Sequence, residues 1–200
     1  MRLGILGGTF DPPHFGHLQM AEAALAQLHL DRVLFAPVGV QPLKQGEPST
    51  RPEQRARLVE LAIADRPHFA LSRVDLDRPG PHYTADLLAI VQRQHPTAAL
   101  WFIMGEDSLS DLLRWREPAR VLHLARLAVL RRPGYEPAWP TFDQALPQLR
   151  ARLDWIEHAE IDISASDIRQ RLQAGRSVEH LVPPKVLQFI LEQQLYRHPA

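Results

Sequence analysis

The sequence contains no cysteine among its 200 residues. A disulfide framework, thiol chemistry and a cysteine-ligated zinc site are therefore excluded, and a reducing, cytoplasmic location is expected. An excess of charge of one sign is also missing, because 23 Lys and Arg balance 23 Asp and Glu. The sequence thus lacks the basic character of a protein that binds a nucleic-acid polymer. No apolar run approaches the roughly 18 residues of a membrane helix, so no membrane partner is expected.

The first seventeen residues combine a strand, a turn and two histidines. Residues 2–6 form a short apolar run, which predicts a buried strand. Gly7-Gly8 favours a sharp turn with N–H groups close to a ligand, and residues 11–13, Asp-Pro-Pro, exclude helix. His14 and His17 lie at the start of a helical stretch, three residues apart, so they can share one face. Free N–H groups and the positive end of the helix dipole point the same way, which predicts a phosphate site.

The turn matches neither of two common nucleotide fingerprints. Its glycines do not give G-x-G-x-x-G, and no G-K-[ST] follows. Two other interpretations of His14 and His17 are solvated loop histidines and a two-histidine metal site. The metal site lacks support, because the chain has neither an H-E-x-x-H pattern nor a cysteine to complete a zinc set.

The N-terminal segment resembles the nucleotidylyltransferase superfamily, whose mark is H-x-G-H after the first strand. Residues 7–12, Gly-Gly-Thr-Phe-Asp-Pro, ahead of His14-x-Gly16-His17 are similar specifically to the nicotinate-nucleotide adenylyltransferases. The resemblance implies adenylyl transfer from ATP to nicotinate mononucleotide in NAD biosynthesis, giving nicotinate adenine dinucleotide and pyrophosphate. It implies catalytic roles for both histidines on the ATP phosphates. The ATP contacts it implies in this segment are Gly7, Gly8, Thr9, Phe10, His14 and His17.

The loop after the second expected strand carries one lysine. The chain reads Gln-Pro-Leu-Lys over residues 41–44 where the family shows P-P-H-K or P-P-H-R, so Leu43 replaces the histidine. Long loops after strands of such a sheet often carry function. The resemblance makes Lys44 a catalytic cation that contacts the ATP phosphates, and a solvated lysine is the alternative. Arg55, in the following helical stretch, is interpreted as structural.

Residues 161–169 are similar to the family pattern I-S-[AS]-T-x-I-R, with Ser166 in place of threonine. Ser164 or Ser166 predicts the cap of a helix. We place Arg169 in the first turn of that helix, where a cation is unfavourable unless an anion is bound. The resemblance adds Ser166, Ile168 and Arg169 to the ATP site and makes Arg169 catalytic.

Three further stretches match the family on the mononucleotide side. Residues 78–88 resemble R-x-G-P-S-Y-T-x-D-T-L, with His82 for serine. The family's G-x-D pattern is matched by Gly105 and Asp107, and its tryptophan is matched by Trp115. Many relatives have a second aromatic residue nearby, whereas here Arg116 follows the tryptophan. The resemblance implies that Tyr83 and Thr84 receive the pyridine carboxylate and that Gly105 and Asp107 face the nucleotide. It implies that Trp115 stacks on the pyridine ring. The alternatives are helix caps for Thr84 and Asp107 and core packing for Trp115.

Strands alternate with helical stretches along the chain, which predicts an α/β fold. A crossover helix precedes the strand at 32–37, so the strands should be parallel, and the most apolar strand, 98–104, should be central. We expect one domain over 1–200 with a Rossmann-like doubly wound parallel sheet and a small helical C-terminal segment over about 164–200. Residues 136–150 show no clear period and are interpreted as a variable connection.

The implied reaction needs few catalytic groups. A phosphate monoester is already a nucleophile near neutral pH, so catalysis reduces to positioning and charge stabilisation. Mg²⁺ would arrive on the triphosphate, because the chain shows no dedicated cage for it and no protein metal ligands are predicted. Two alternatives stay open: a sister adenylyltransferase for nicotinamide mononucleotide or phosphopantetheine, and a non-catalytic nucleotide-binding regulator on the same fold.

Overall fold

The computed structural model describes residues 1–39, 50–131, 136–158 and 163–196. Its strands are β1 (Arg2–Gly8), β2 (Arg32–Pro37), β3 (Phe69–Leu71), β4 (Ala99–Gly105), β5 (Arg126–Leu130) and β6 (Leu153–Ile156). They form one sheet in the order β3-β2-β1-β4-β5-β6, and every pair is parallel. The carboxyl ends of the strands therefore meet at one edge. The strand order reverses between β1 and β4, where open α/β sheets bind their ligands.

The helices are α1 (Phe15–Gln27), α2 (Pro52–Ile63), α3 (Thr84–Gln94), α4 (Glu106–Ser110), α5 (Pro118–Leu124), α6 (Trp139–Ala145), α7 (Ala165–Gln173) and α8 (Pro184–Glu192). Side chains of α1, α2, α7 and α8 share one hydrophobic core, and side chains of α3 to α6 share the other. The two cores cover opposite faces of the sheet. The prediction of a doubly wound parallel sheet with helices on both sides is confirmed.

The two central strands supply side chains to both cores in alternation. In β1, Ile5 enters one core and Leu6 the other, while Phe102 and Ile103 of β4 do the same. Period-2 alternation sends successive side chains to opposite faces of a sheet. Because both faces of the sheet are covered, the sequences of these strands are continuous apolar runs. This burial holds the carboxyl ends of β1 and β4 side by side.

The connection over 136–150, for which the sequence shows no clear period, contains the helix α6. Phe142 of this helix is buried in one of the two cores. Arg150 stacks over the Trp139 ring at 4.1 Å and pairs with Asp143 at 2.7 Å. Pro140 obscured the helical pattern, although proline is tolerated in the first turn, where backbone N–H groups need no helical partner.

The C-terminal helices close one face of the sheet. Ile168 of α7 and Val186 and Ile190 of α8 enter the core that contains Leu18 of α1. This packing brings the start of α7 to the carboxyl edge of β1. Among the described residues, the structure contains no helix that is long and apolar enough to span a membrane.

Candidate active site

The turn after β1 bends at Phe10. Gly7 and Gly8 are the last residues of the strand, and Phe10 adopts a left-handed backbone with φ 52°. A Cβ on Gly7 would stand 3.0 Å from the Phe102 ring, and one on Gly8 would stand 3.2 Å from the Phe10 ring. The prediction that the glycines make the turn was therefore wrong. They allow two aromatic rings to pack tightly against the strand end.

His14 and His17 lie face to face at the start of α1. Their ring centroids are 3.7 Å apart with an interplanar angle of 28°, so the prediction that they share one face is confirmed. The His14 backbone N–H donates to His17 Nδ1 at 3.3 Å. A neutral His17 ring then carries its proton on Nε2, which remains a hydrogen-bond donor. The Phe10 ring supports His17 edge-on at 4.8 Å.

The first turn of α1 offers fewer free N–H groups than the sequence suggested. The Phe15 N–H donates to the Leu181 carbonyl at 2.9 Å, and the His17 N–H donates to the His14 carbonyl at 3.0 Å. The Gly16 N–H has no partner within the described ranges. The expected cluster of free N–H groups is thus reduced, and the imidazoles become the main donors at this position.

Both histidines are held neutral. Burial lowers the pKa of His14 from 6.5 to about 4. Burial and the neighbouring His14 lower the pKa of His17 well below its usual value. His14 is 6% exposed, and its Nδ1 has no hydrogen-bond partner in the described part of the chain. A buried polar atom without a partner costs about 1–3 kcal/mol, so a ligand that bonds to it recovers that free energy.

The lowered pKa of His14 makes stability depend on pH. The unfolded chain binds a proton at this histidine below about pH 6.5, whereas the folded chain binds it only below about pH 4. The free energy of unfolding should therefore fall as the pH drops through this window, by roughly 3 kcal/mol for His14 alone.

Urea unfolding of the wild type and of His14→Gln at several pH values across this window measures the effect. The variant should lose less stability on acidification than the wild type. Replacement of the exposed His123 by glutamine serves as the control. Parallel pH profiles for His14→Gln and the wild type would contradict the prediction.

Arg169 reaches back from α7 to the turn after β1. Its Nη1 donates to the Asp11 carbonyl at 2.8 Å and its Nη2 to Ser166 Oγ at 3.3 Å. Of the two serines predicted as the cap, Ser164 is the N-cap, and its hydroxyl oxygen accepts from the Asp167 N–H at 3.1 Å. Arg169 is the fifth residue of the helix, so its predicted place in the first turn was wrong. Ser166 is exposed beside Arg169.

Ile168 contributes no side chain to this site. It is fully buried in the hydrophobic core beneath α7. The Phe10 ring is likewise buried, against Phe35. Any contact of these two residues with a nucleotide would therefore be made by the backbone.

Asp11 is a buried junction that the motif comparison did not single out. Its carboxylate accepts from the Thr50 hydroxyl at 2.6 Å and from the Tyr196 hydroxyl at 2.7 Å. Its carbonyl accepts from Arg169. The turn, the start of α2 and the C-terminal residues therefore converge on one side chain. Only its place between the turn and two prolines hinted at this role.

Arg55 of α2 connects the residues that follow β1 and β2. Its guanidinium donates to the carbonyls of Thr9, at 2.9 Å, and Val38, at 2.6 Å, and it is 1% exposed. It also reaches Gly39 at 3.3 Å. These bonds agree with the structural interpretation of Arg55. Lys44 and the neighbouring Leu43 lie outside the described residues.

The start of α3 differs from the predicted cap. Tyr83 is the N-cap and makes no side-chain cap hydrogen bond, and Thr84 is the first helical residue. The interpretation of Thr84 as the cap was therefore wrong. The Thr84 hydroxyl and the N–H groups of Thr84 and Ala85 have no partner among residues that the structure describes. These donors are available to an anionic group.

His82 is accommodated by a glycine opposite it. Its Nε2 lies 3.0 Å from the Arg78 carbonyl, and it is 5% exposed. A Cβ on Gly39 would stand 2.5 Å from the His82 ring and 2.8 Å from the Asp75 carbonyl. Histidine is larger than the serine that the family has at this position, and it fits here because residue 39 is glycine.

Trp115 precedes α5 in the chain and packs against the central strand β4. Its ring meets the Phe102 ring edge-on at 5.8 Å and is half-buried. The segment that follows is joined to α3, because Arg120 of α5 bonds to Asp86 of α3 at 3.1 Å. The next residue, Arg116, lies 5.0 Å from the centroid of the Tyr83 ring, and the Phe102 ring that Trp115 meets also packs against the strand end at Gly7.

The carboxyl end of β4 is open on one side. A Cβ on Gly105 would meet nothing within 4 Å. Gly105 is also the N-cap of α4, so the alternative that Asp107 caps this helix was wrong, and Asp107 is exposed. Glu106 is 1% exposed, and both of its carboxylate oxygens lack hydrogen-bond partners in the described chain. Sequence reasoning missed Glu106, because it matches no fixed position of the G-x-D pattern.

Comparisons with known proteins agree with this arrangement. The family described as cytidylyltransferase-like matches residues 5–171. A protein of Thermomicrobium roseum is 47% identical over 98% of this chain and 92% of its own length, and one of Roseiflexus is 46% identical over 98% of both. Both are named probable nicotinate-nucleotide adenylyltransferase.

A solved structure shows the same fold at low identity. The Plasmodium falciparum nicotinic acid mononucleotide adenylyltransferase complexed with NaAD superposes with a TM-score of 0.78, covering 98% of this chain and 97% of its own, at 18% identity. With the fold shared and close relatives matching along nearly their full length, the chain belongs to the nicotinate-nucleotide adenylyltransferase family of nucleotidyltransferases.

Proposed function

We propose that this protein transfers the adenylyl group of ATP to nicotinate mononucleotide, giving nicotinate adenine dinucleotide and pyrophosphate in NAD biosynthesis. The observation that carries the proposal is the stacked histidine pair at the point where the strand order reverses. Both rings are neutral, and His14 Nδ1 is buried without a partner in the described ranges. Phosphate oxygens would satisfy such donors. The family membership and the names of the relatives support the same reaction.

The reaction needs donors at the transferred phosphoryl group and no protein base. An oxygen of the mononucleotide 5′-phosphate attacks the α-phosphorus of ATP, and the bond from that phosphorus to the bridging oxygen breaks. Negative charge grows on the phosphoryl oxygens and on the departing pyrophosphate. His14 and His17 act there as preorganised donors, and such donors stabilise developing charge more than mobile water does.

Arg169 and Lys44 are assigned to the β- and γ-phosphates. Arg169 is anchored to the turn by one nitrogen and to Ser166 by another, which leaves further N–H groups for phosphate oxygens. Mg²⁺ fits this arrangement as part of the substrate. The side chains assigned to the phosphates, His14, His17 and Arg169, present nitrogen donors, which suit phosphate and not a cation, so the triphosphate oxygens and water would hold the ion.

The mononucleotide is assigned to the other side of the crevice. Tyr83 and Thr84 at the start of α3 would receive the pyridine carboxylate, and the Trp115 ring would stack on the pyridine. Gly105 leaves space for the nucleotide at the end of β4, and Asp107 faces solvent there.

A single-turnover assay with three acceptors tests the proposal. The enzyme is mixed with ATP and Mg²⁺ and with nicotinate mononucleotide, nicotinamide mononucleotide or phosphopantetheine, and pyrophosphate release is followed. Rapid release with nicotinate mononucleotide and little without an acceptor is the expected result. Faster release with either other acceptor would favour a sister transferase. Absence of release with all three would favour a nucleotide-binding regulator.

Replacement of Arg169 by alanine should raise the KM for ATP by about 10- to 100-fold. This range corresponds to one charge-assisted hydrogen bond of about 1.5–3 kcal/mol. The KM for the mononucleotide should change little. Steady-state kinetics with each substrate varied in turn measures both values.

Arg171 provides a matched control on the same helix. It pairs with Asp167 at 2.7 Å, so its replacement by alanine should leave the KM for ATP unchanged. An unchanged KM for ATP in the Arg169 variant would instead assign that residue to anchoring the turn at Asp11.

A further inference from the structure

Arg116 lies over an aromatic ring at the start of α3. Its guanidinium carbon is 5.0 Å from the centroid of the Tyr83 ring. The side chain is exposed, and no carboxylate lies within ion-pair distance of it among the described residues. A guanidinium over the face of a tyrosine is held by the ring's negative face, which limits the directions it can take.

The acidic side chains near Arg116 are already paired with other arginines. Asp111 pairs with Arg114 at 2.8 Å, and Glu117 pairs with Arg120 at 3.0 Å. The charge of Arg116 is therefore not neutralised locally. The neighbouring arginines are balanced, and the one that stacks on Tyr83 is not.

The position of this charge is defined by its neighbours. Arg116 follows Trp115 directly in the chain, and the ring on which it stacks belongs to the N-cap of α3. The Arg120 bond to Asp86 holds the two segments together. The guanidinium thus lies over the side chain of the residue before Thr84, and it belongs to the residue after Trp115, so it adjoins the residues assigned above to the pyridine ring.

We infer that Arg116 is a specificity-determining residue that favours an anionic over a neutral substituent on the pyridine ring. The inference rests on the proposed function, because it assigns the mononucleotide to this pocket. A carboxylate gains Coulomb attraction to the guanidinium, whereas a carboxamide of the same shape does not. At an exposed site this attraction is modest, and it corresponds to about a tenfold effect on the relative efficiency for the two substrates.

Three variants separate the charge of Arg116 from its bulk. Arg116→Gln removes the charge and keeps most of the length, and Arg116→Lys keeps the charge and loses the planar stack. Arg114→Gln removes an exposed arginine two positions away that is paired with Asp111. The kcat/KM and the Kd from calorimetry are measured for nicotinate and nicotinamide mononucleotide with each protein.

For Arg116→Gln we expect the kcat/KM and the affinity for nicotinate mononucleotide to fall about tenfold, with less than a twofold change for nicotinamide mononucleotide. Arg116→Lys should lie between this variant and the wild type, and Arg114→Gln should match the wild type. The wild-type preference should also decline from about 50 mM to about 500 mM salt, because screening weakens an exposed charge. The Arg116→Gln preference should respond less to salt.

If Arg116→Gln lowers kcat/KM equally for both mononucleotides, or leaves both values unchanged, the inference is overturned and the proposed reaction stays intact. The binding measurement keeps the two proposals apart. If the wild type binds the mononucleotides but transfers no adenylyl group, the proposed reaction fails, and the Kd ratio still decides the role of Arg116. If the wild type binds neither mononucleotide, both proposals are overturned.

Discussion

Replacement of His17 by alanine should lower the kcat for adenylyl transfer by about 10²–10³-fold, and His14→Ala should have a similar effect. The two neutral rings lie 3.7 Å apart at the end of β1, and no ionised base is needed for the attack. A preorganised donor stabilises the charge that develops at the α-phosphorus, so its loss appears in kcat. The KM values should change much less, because the effect belongs to the transition state.

The measurement is steady-state kinetics with both substrates at saturation, together with circular dichroism and thermal unfolding. His123→Ala, an exposed position on α5, is the matched control. Because His14 is buried, His14→Gln is added as a variant that leaves less empty space. A kcat near that of the wild type in folded His14 and His17 variants would contradict the proposed mechanism.

The stacked pair also predicts non-additivity. The two imidazole rings pack face to face at 3.7 Å, so loss of either ring leaves the other without its support, and the two residues act as a unit. The double alanine variant should therefore lose little more activity than either single variant.

Much of the fold could be predicted from local patterns. The β1–α1–β2 unit is a run of apolar strand, helix and strand in which burial and propensity agree, and β2 was predicted with its observed bounds. The histidine pair was predicted from spacing alone, because residues three apart at a helix start share a face. Ser164 caps the start of α7, as one of the two predicted serines, and Gly175, with a left-handed φ of 66°, follows the C-cap residue, as capping chemistry favours.

Other features depended on contacts that no local pattern contains. Gly7 suggested a sharp turn, but the need for glycine comes from the Phe102 ring, about a hundred residues away in the chain, which packs against it. The free N–H groups expected at the start of α1 were reduced by the Leu181 carbonyl, which arrives from the C-terminal segment. Asp11 gained its role only when Tyr196 and Thr50 met it. These three findings come from long-range contacts, whereas the agreements described above come from short-range ones.

Nicotinate mononucleotide should be preferred over nicotinamide mononucleotide by up to about 10⁴-fold in kcat/KM. The two ligands differ only by a carboxylate against a carboxamide, and the carboxamide must donate hydrogen bonds as well as accept them. The donors at the start of α3 are the Thr84 hydroxyl and the unpaired N–H groups of Thr84 and Ala85. An amide NH₂ that faces these donors finds no acceptor, while a carboxylate is also favoured by the helix dipole.

Two variants dissect this preference. Thr84→Val removes one donor and should reduce kcat/KM for the nicotinate substrate more than for the nicotinamide substrate. Trp115→Ala removes a surface on which either ring can stack, so it should reduce both values alike, by roughly tenfold or more. The decisive measurement is kcat/KM for both mononucleotides at fixed ATP and Mg²⁺. Wild-type values within about threefold of each other would mean that donors at this helix start do not discriminate, and that the enzyme accepts both substrates.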